Sequence, residues 1–202
     1  MTLYPAVLNV PKLDGVQSGR ATLDSLRALA RQALRVSAHM SGLALGELHQ
    51  DADGAPVPCS STYWSISHKP RCVAAVSSTY PTGIDVEEVK PRGRNLLGYV
   101  ATPEEWQLLE GEDPWHVFYR YWTAKEAVLK AASIGIAGMK GCRVKSVPDA
   151  TRVAIEYQGH VYLVRQLRHG RHIVSVVHRG ETVEWVMAKP HDKSAQSAPL
   201  VE

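Results

Sequence analysis

The apolar residues of this chain change period several times, and each change marks an element. Leu3 to Val10 reads as a strand, followed by a loop containing Pro, Gly and Ser. From Ala21 onward Leu23, Leu26, Ala30, Ala33 and Leu34 recur at three- and four-residue steps, the stripe of an amphipathic helix. Arg20, Arg27, Arg31 and Arg35 accompany that stripe as a solvated face. Residues 42–61 are loop-rich. Tyr63 to His68 then alternates bulky and small polar side chains as a half-buried strand does, and stops at Lys69-Pro70. Cys72 to Ser77 follows at once, giving a hairpin, and Gly83 to Val89 is a third short strand. Thr102-Pro103-Glu104-Glu105 carries a cap, a proline at the first helical position and acidic residues in the first turn, so a helix starts there. A longer helix spans Pro114 to Ser133 on the spacing of Val117, Tyr121, Ala124, Val128 and Ala131. Strands return at Arg152–Tyr157, His160–Leu167, Arg171–His178 and Thr182–Met187, separated by glycine turns, as in a meander.

This order of helix, strands, helices and strands predicts an α+β fold in two comparable halves. The basic, breaker-rich run Lys90-Pro91-Arg92-Gly93-Arg94 marks the junction. It divides the chain into an N-terminal lobe over 1–97 and a C-terminal lobe over 98–189, with a polar, disordered tail over 190–202. Composition changes little in this picture. The chain has 202 residues, 45% of them hydrophobic and 21% charged, ordinary for one large domain or two small lobes. A net charge of +3 is too small to indicate nucleic acid but suits an acidic protein surface or anionic ligand. Three cysteines without a Cys-x-x-Cys pair suggest neither a disulfide framework nor a zinc site. Met1 to Val10 has no signal-peptide pattern, and no apolar run is long enough to span a membrane, so a cytoplasmic protein is expected.

The chemistry concentrates between Gly83 and Lys130. Asp85 and Glu87, at i and i+2 on a strand, project from one face, while Ile84 and Val86 pack on the other. Glu126 on the long helix would add a third carboxylate, a set suited to a hard divalent cation with phosphate ligands. Lys130, at i+4 from Glu126, either forms a routine surface ion pair or meets a phosphate beside the metal. Ser67 and His68 are adjacent on a strand and face opposite ways, which argues against a nucleophile–base pair. Before the basic turn of Lys69 and Arg71 they suit an anion instead. No phosphate-cradling glycine loop occurs.

Three segments together resemble the 4′-phosphopantetheinyl transferases: Trp64-Ser65-Ile66-Ser67-His68, Gly83-Ile84-Asp85-Val86-Glu87, and Phe118 to Lys130 with its Trp-Thr-Ala-Lys-Glu-Ala-Val-Leu-Lys core. The resemblance covers roughly residues 54–140 and is to the monomeric, two-lobed type that activates carrier proteins of peptide and polyketide synthases. It implies two similar lobes related by a pseudo-twofold axis, each a small antiparallel sheet packed with a long helix, with coenzyme A and Mg²⁺ (Mn²⁺ being the alternative) bound between them. The implied reaction moves phosphopantetheine from coenzyme A to a serine of an apo acyl or peptidyl carrier protein, releasing adenosine 3′,5′-bisphosphate. Nucleic acid and membrane are not implied partners. By matching position Asp85, Glu87 and Glu126 are the metal ligands. Ser67 and His68 meet the 3′-phosphate with Arg71 nearby, Lys130 meets the pyrophosphate, and either Glu105 or a metal-bound water takes the proton of the carrier serine. Lys125 belongs to the motif as a further cofactor contact.

Two departures stand out. Relatives carry a basic residue where Ala55 stands between Gly54 and Pro56, so Lys69, Arg71 or Arg20 would have to supply that phosphate contact. They also carry aromatics where this chain has Val100-Ala101, which bears on the docking of the carrier. Two rival readings are a nuclease built on Glu88-Val89-Lys90 and a non-catalytic binder of coenzyme A or carrier protein. The first fails because Glu88 is too close to Asp85 in sequence. The second is disfavoured by the presence of all three carboxylates and Lys130.

Overall fold

The computed structural model describes residues 1–11, 19–59 and 61–189, with the backbone alone over 19–22; the tail expected over 190–202 lies outside them. In chain order the elements are β1 (Thr2–Leu3), β2 (Ala6–Asn9), α1 (Gly19–Ser41), β3 (Tyr63–Lys69), β4 (Cys72–Ser78) and β5 (Ile84–Glu88). Then come α2 (Leu97–Val100), α3 (Pro103–Gln107), α4 (Pro114–Ala131), β6 (Arg143–Asp149) and β7 (Arg152–Tyr157). The last are β8 (His160–His169), β9 (His172–His178), β10 (Thr182–Val183) and β11 (Val186–Ala188). The fold is α+β, as the pattern predicted.

The chain forms two compact units. The first holds residues 1–82 together with the returning segment from Glu181, and the second holds Gly83–Gly180. The boundary therefore falls at Thr82/Gly83, not at 97/98 near the basic loop. Hydrogen bonding decides this, because β5 pairs antiparallel with β9, with Asp85 opposite Ser175 and Glu87 opposite Ile173. The expected meander is also corrected at its end. Instead of closing a hairpin, β10 runs parallel to β1 and β11 runs parallel to β2, so the chain returns to its first unit.

In the first unit the sheet order is β11-β2-β4-β3. The α1 stripe Leu26, Ala30, Ala33 and Leu34 is buried against Leu8, Trp64, Val73 and Ala75. Leu23, counted in that stripe from spacing, is largely exposed. Ser37 fixes the helix to the sheet, its Oγ accepting from the Ser77 amide at 2.9 Å.

The second unit is an antiparallel sheet in the order β5-β9-β8-β7-β6, crossed by α4. α4 begins where the sequence predicts, with Pro114 after Asp113, whose carboxylate accepts from the His116 amide at 2.8 Å. Its buried face, Val117, Tyr121, Ala124 and Val128, packs with Val153, Ile155, Val164 and Ile173. Strand β6 was not legible in the sequence. It is an edge strand interrupted by register shifts and contains Pro148, a residue tolerated at sheet edges.

Gly83 lets helix and strand meet. A Cβ there would lie 2.0 Å from the Ala127 carbonyl oxygen and 2.6 Å from the Ala131 amide nitrogen, both backbone atoms. Only glycine permits that approach.

Candidate active site

The strand motif and the helix motif come together in the second unit. Lys130 Nζ donates to Asp85 Oδ1 at 2.8 Å and to the Ile84 carbonyl at 3.0 Å. Asp85 is 7% exposed and Lys130 29%, so the pair has one enclosed end and one open end. Glu87 lies two residues along the same strand face and Glu126 one turn earlier on α4; both are half-buried. Three carboxylates are the oxygen donors a hard cation prefers. Among the described residues, however, no group of three His, Cys, Asp or Glu side chains is arranged to hold a metal ion. Mg²⁺ is ordinarily held by one or two carboxylates plus substrate phosphates rather than by an all-protein cage. The donor set therefore fits an ion that shares its coordination with a diphosphate.

Glu105 and Lys125 are brought together within the second unit. Lys125 is 2% exposed and Glu105 6%, and they form an ion pair at 2.9 Å. Glu105 Oε2 accepts from the Thr102 amide at 2.7 Å, completing a capping box at the start of α3. Its Oε1 accepts from both Lys125 and the Val144 amide of β6. Lys125 also donates to the Val100 carbonyl at 2.7 Å, and the Tyr121 hydroxyl donates to the Glu105 carbonyl at 2.8 Å. Burial pushes the Tyr121 phenol up to about 12, which keeps it a neutral donor. Both Glu105 oxygens accept hydrogen bonds within the fold, and Glu105 and Lys125 also line a cleft of the second unit. Lys125 thus gives two of its three ammonium donors to protein acceptors. α3, α4 and β6 are thus tied together beside Glu126. One sequence signal could have revealed this, because Lys125 lies at i+4 from Tyr121 and i−3 from Val128, on the buried face of α4.

The anion-binding candidates stay on one hairpin of the first unit. Ser67 pairs opposite Ala74 and His68 opposite Val73, so the two side chains leave the strand on opposite faces. His68 shares its face with Trp64 and Ile66, and Arg71 is exposed at the β3–β4 turn. Ala55 sits in a tight turn where Asp51 Oδ1 accepts the Ala55 amide at 2.8 Å and the Asp53 amide at 3.0 Å. The second unit also has a cleft of about 630 Å³, lined by Tyr99, Val100, Trp106, Met139, Lys140 and Arg143 among others. Burial pushes the Cys72 and Cys142 thiols up to about 12 and about 11, so both stay protonated and unreactive.

The chain is similar to several known proteins. The chain is 34% identical over 95 residues to the 4′-phosphopantetheinyl transferase HetI of Nostoc sp., a match covering 44% of this chain and 40% of the relative. It is 29% identical over 103 residues to a 4′-phosphopantetheinyl transferase of Bacillus subtilis, covering 49% and 42%. It is 32% identical over 165 residues to the L-aminoadipate-semialdehyde dehydrogenase-phosphopantetheinyl transferase of Schizosaccharomyces pombe, covering 68% and 64%. These matches span about two fifths of the first two relatives and just under two thirds of the third. The family model describing the 4′-phosphopantetheinyl transferase superfamily matches residues 81–182, a stretch that carries Asp85, Glu126 and Lys130 within the unit just described. On that match across half its length, the chain belongs to the 4′-phosphopantetheinyl transferase superfamily.

Proposed function

We propose that this protein transfers 4′-phosphopantetheine from coenzyme A to a serine hydroxyl of an apo acyl or peptidyl carrier protein, acting as a cytoplasmic monomer. The observation that carries the reading is the Lys130–Asp85 contact, which joins the helix motif to the strand motif inside the region the family model covers. Asp85, Glu87 and Glu126 would hold Mg²⁺ or Mn²⁺ together with the diphosphate. The ion's contribution when bound is to neutralise charge on the leaving phosphate oxygens. Ser67, His68 and Arg71 would meet the 3′-phosphate of coenzyme A. Pseudo-twofold symmetry between the units belongs to the same proposal.

The protein's own part is positioning and electrostatics. The serine Oγ–phosphorus bond forms as the anhydride phosphorus–oxygen bond breaks, and adenosine 3′,5′-bisphosphate leaves. Lys130 places an ammonium where charge accumulates on that leaving group. The serine proton is taken by a carboxylate oxygen of Glu126, which is partly open, rather than by Glu105, whose oxygens already accept three donors. A carrier with an acidic face suits the exposed Arg92 and Arg94 and the basic rim of the cleft at Lys140 and Arg143.

The test is mass spectrometry of an apo carrier protein incubated with coenzyme A, Mg²⁺ and this protein. The expected result is a mass gain of one phosphopantetheine group. Diverse carriers, including those of the same genome, all remaining unmodified would overturn the proposal; coenzyme A binding without transfer would then favour a non-catalytic binder.

A further inference from the structure

Helix α4 rests on its sheet through a largely apolar seam, but one level of that seam is polar. Thr123 and Ser175 are fully buried, and Arg120 and Gln166 nearly so. Thr123 Oγ1 and Ser175 Oγ are 2.7 Å apart. Gln166 Nε2 donates to Ser175 Oγ at 2.9 Å and to the Arg120 carbonyl at 2.8 Å. Arg120 Nε donates to Gln166 Oε1 at 2.9 Å, and its Nη2 donates to the Asp149 carbonyl at 2.7 Å.

The donor and acceptor roles follow outward from Arg120, with the Thr123 hydroxyl reaching the Tyr119 carbonyl at 2.7 Å and the Arg120 carbonyl at 3.3 Å. Arginine can only donate, so Gln166 Oε1 must be its acceptor, and the amide orientation follows. Ser175 Oγ then accepts from Gln166. The Thr123 hydroxyl donates to the Tyr119 carbonyl at 2.7 Å, so Ser175 gives its own proton to Thr123. Apolar side chains would fill this space without burying polar groups. What the network adds is geometric, because its bonds close at one register of α4 and leave buried donors unmade at any other.

That register matters because of where the network is anchored. Ser175 stands directly opposite Asp85 in the β5–β9 ladder. Thr123 lies three residues before Glu126 and seven before Lys130, one and two turns away on the same side of α4. The hydroxyl pair therefore ties the rung carrying Asp85 to the helix face carrying Glu126 and Lys130.

We propose that Thr123 and Ser175, oriented by Gln166 and Arg120, are positioning residues that set the register of α4 over β5 and β9, and so place Glu126 and Lys130 against Asp85 and Glu87. The proposal rests on the transferase reading of that site.

Two substitutions at one position separate register from packing. Thr123→Val keeps the branched shape and removes the hydroxyl, whereas Thr123→Ser keeps the hydroxyl and removes the methyl. The readouts are kcat and the Mg²⁺ activation midpoint per folded molecule, and amide hydrogen exchange over residues 84–88 and 126–130 without any ligand. Thr123→Val should lower kcat about tenfold, raise the Mg²⁺ midpoint about fivefold and speed exchange in those two segments, the size expected of an outer-shell partner. Thr123→Ser should stay within about twofold of the unmodified protein. Unchanged kcat, midpoint and exchange in Thr123→Val overturn the proposal, as does a loss in Thr123→Ser as large as in Thr123→Val. Should Thr123→Val fail to fold, Ser175→Ala takes its place with the same expected losses and the same overturning result. Should the unmodified protein transfer nothing, the transferase reading falls, and the exchange comparison alone decides whether the hydroxyl sets the register.

Discussion

Two lysines of α4 each pair with a buried carboxylate of another element, Lys125 with Glu105 of α3 and Lys130 with Asp85 of β5. Lys125–Glu105 and Lys130–Asp85 have nearly equal bond lengths, 2.9 and 2.8 Å, and similarly enclosed carboxylates. They differ in their lysines: Lys125 is 2% exposed and Lys130 is 29%. Around Lys125 every partner belongs to the protein, namely the Val100 carbonyl, Glu105, and through Glu105 the amides of Thr102 and Val144. Lys130 keeps an open side from which it can meet a ligand. A buried pair with all its bonds satisfied holds elements in place, whereas a pair open at one end can exchange partners. Under the proposed function, that difference would make Lys125 a framework residue and Lys130 the one free to meet a ligand, only five positions away.

The largest effect should come from breaking the enclosed pair. Lys125→Met leaves Glu105 charged and buried, at a cost of about 3–5 kcal/mol in unfolding free energy by denaturant titration. Adding Glu105→Leu removes the orphaned charge but also the acceptor of the Thr102 and Val144 amides, so it should recover only part of that loss. If the single substitution costs no more than a surface pair does, about 1 kcal/mol or less, the framework role is wrong.

Gly83→Ala should act on the open pair and spare the enclosed one. The added methyl meets the backbone of α4 at Ala127 and Ala131, atoms that move only if the helix moves. Overpacking of this kind costs about 3 kcal/mol. A crystal structure of the variant should show Lys130 drawn away from Asp85 while Lys125 stays on Glu105. An unshifted Lys130–Asp85 distance would mean that Gly83 is not what seats α4 on β5.

Much of this was legible in the sequence, and the parts that were not have physical causes. The i, i+2 placement of the β5 carboxylates and the i, i+4 spacing of Glu126 and Lys130 follow from backbone geometry alone, so each shared face was legible in the sequence. The spacing of Val117, Tyr121, Ala124 and Val128 likewise located α4 from its start at Pro114. Long-range pairing was hidden. Nothing in Ile84–Glu88 reveals that its partner is β9 rather than β4, and nothing in Thr182–Val183 reveals a parallel return to β1. Glu105 was legible as part of a Thr-x-x-Glu helix start, but its bonds to Lys125 and to the Val144 amide form only once α4 and β6 are in place. Thr123 and Ser175 gave no signal at all, since a hydroxyl within an apolar run reveals its partner only once strand and helix are packed.

The sharpest division between the pairs is Asp85→Asn. Asparagine keeps the shape and one acceptor oxygen for Lys130, so the fold should lose no more than about 1 kcal/mol, the worth of a partly exposed ion pair. Phosphopantetheine transfer should nevertheless fall about 100-fold or more, because the negative charge that would hold Mg²⁺ and orient Lys130 is gone. Lys125→Met should show the reverse order, with stability falling first and turnover per folded molecule falling less. Thermal unfolding and single-turnover transfer measured on both variants give four numbers. If Asp85→Asn loses activity only in proportion to its unfolded fraction, Asp85–Lys130 is a second structural clamp and the chemistry must be sought elsewhere on α4. If it loses activity while fully folded, exposure of the lysine is what separates the two pairs.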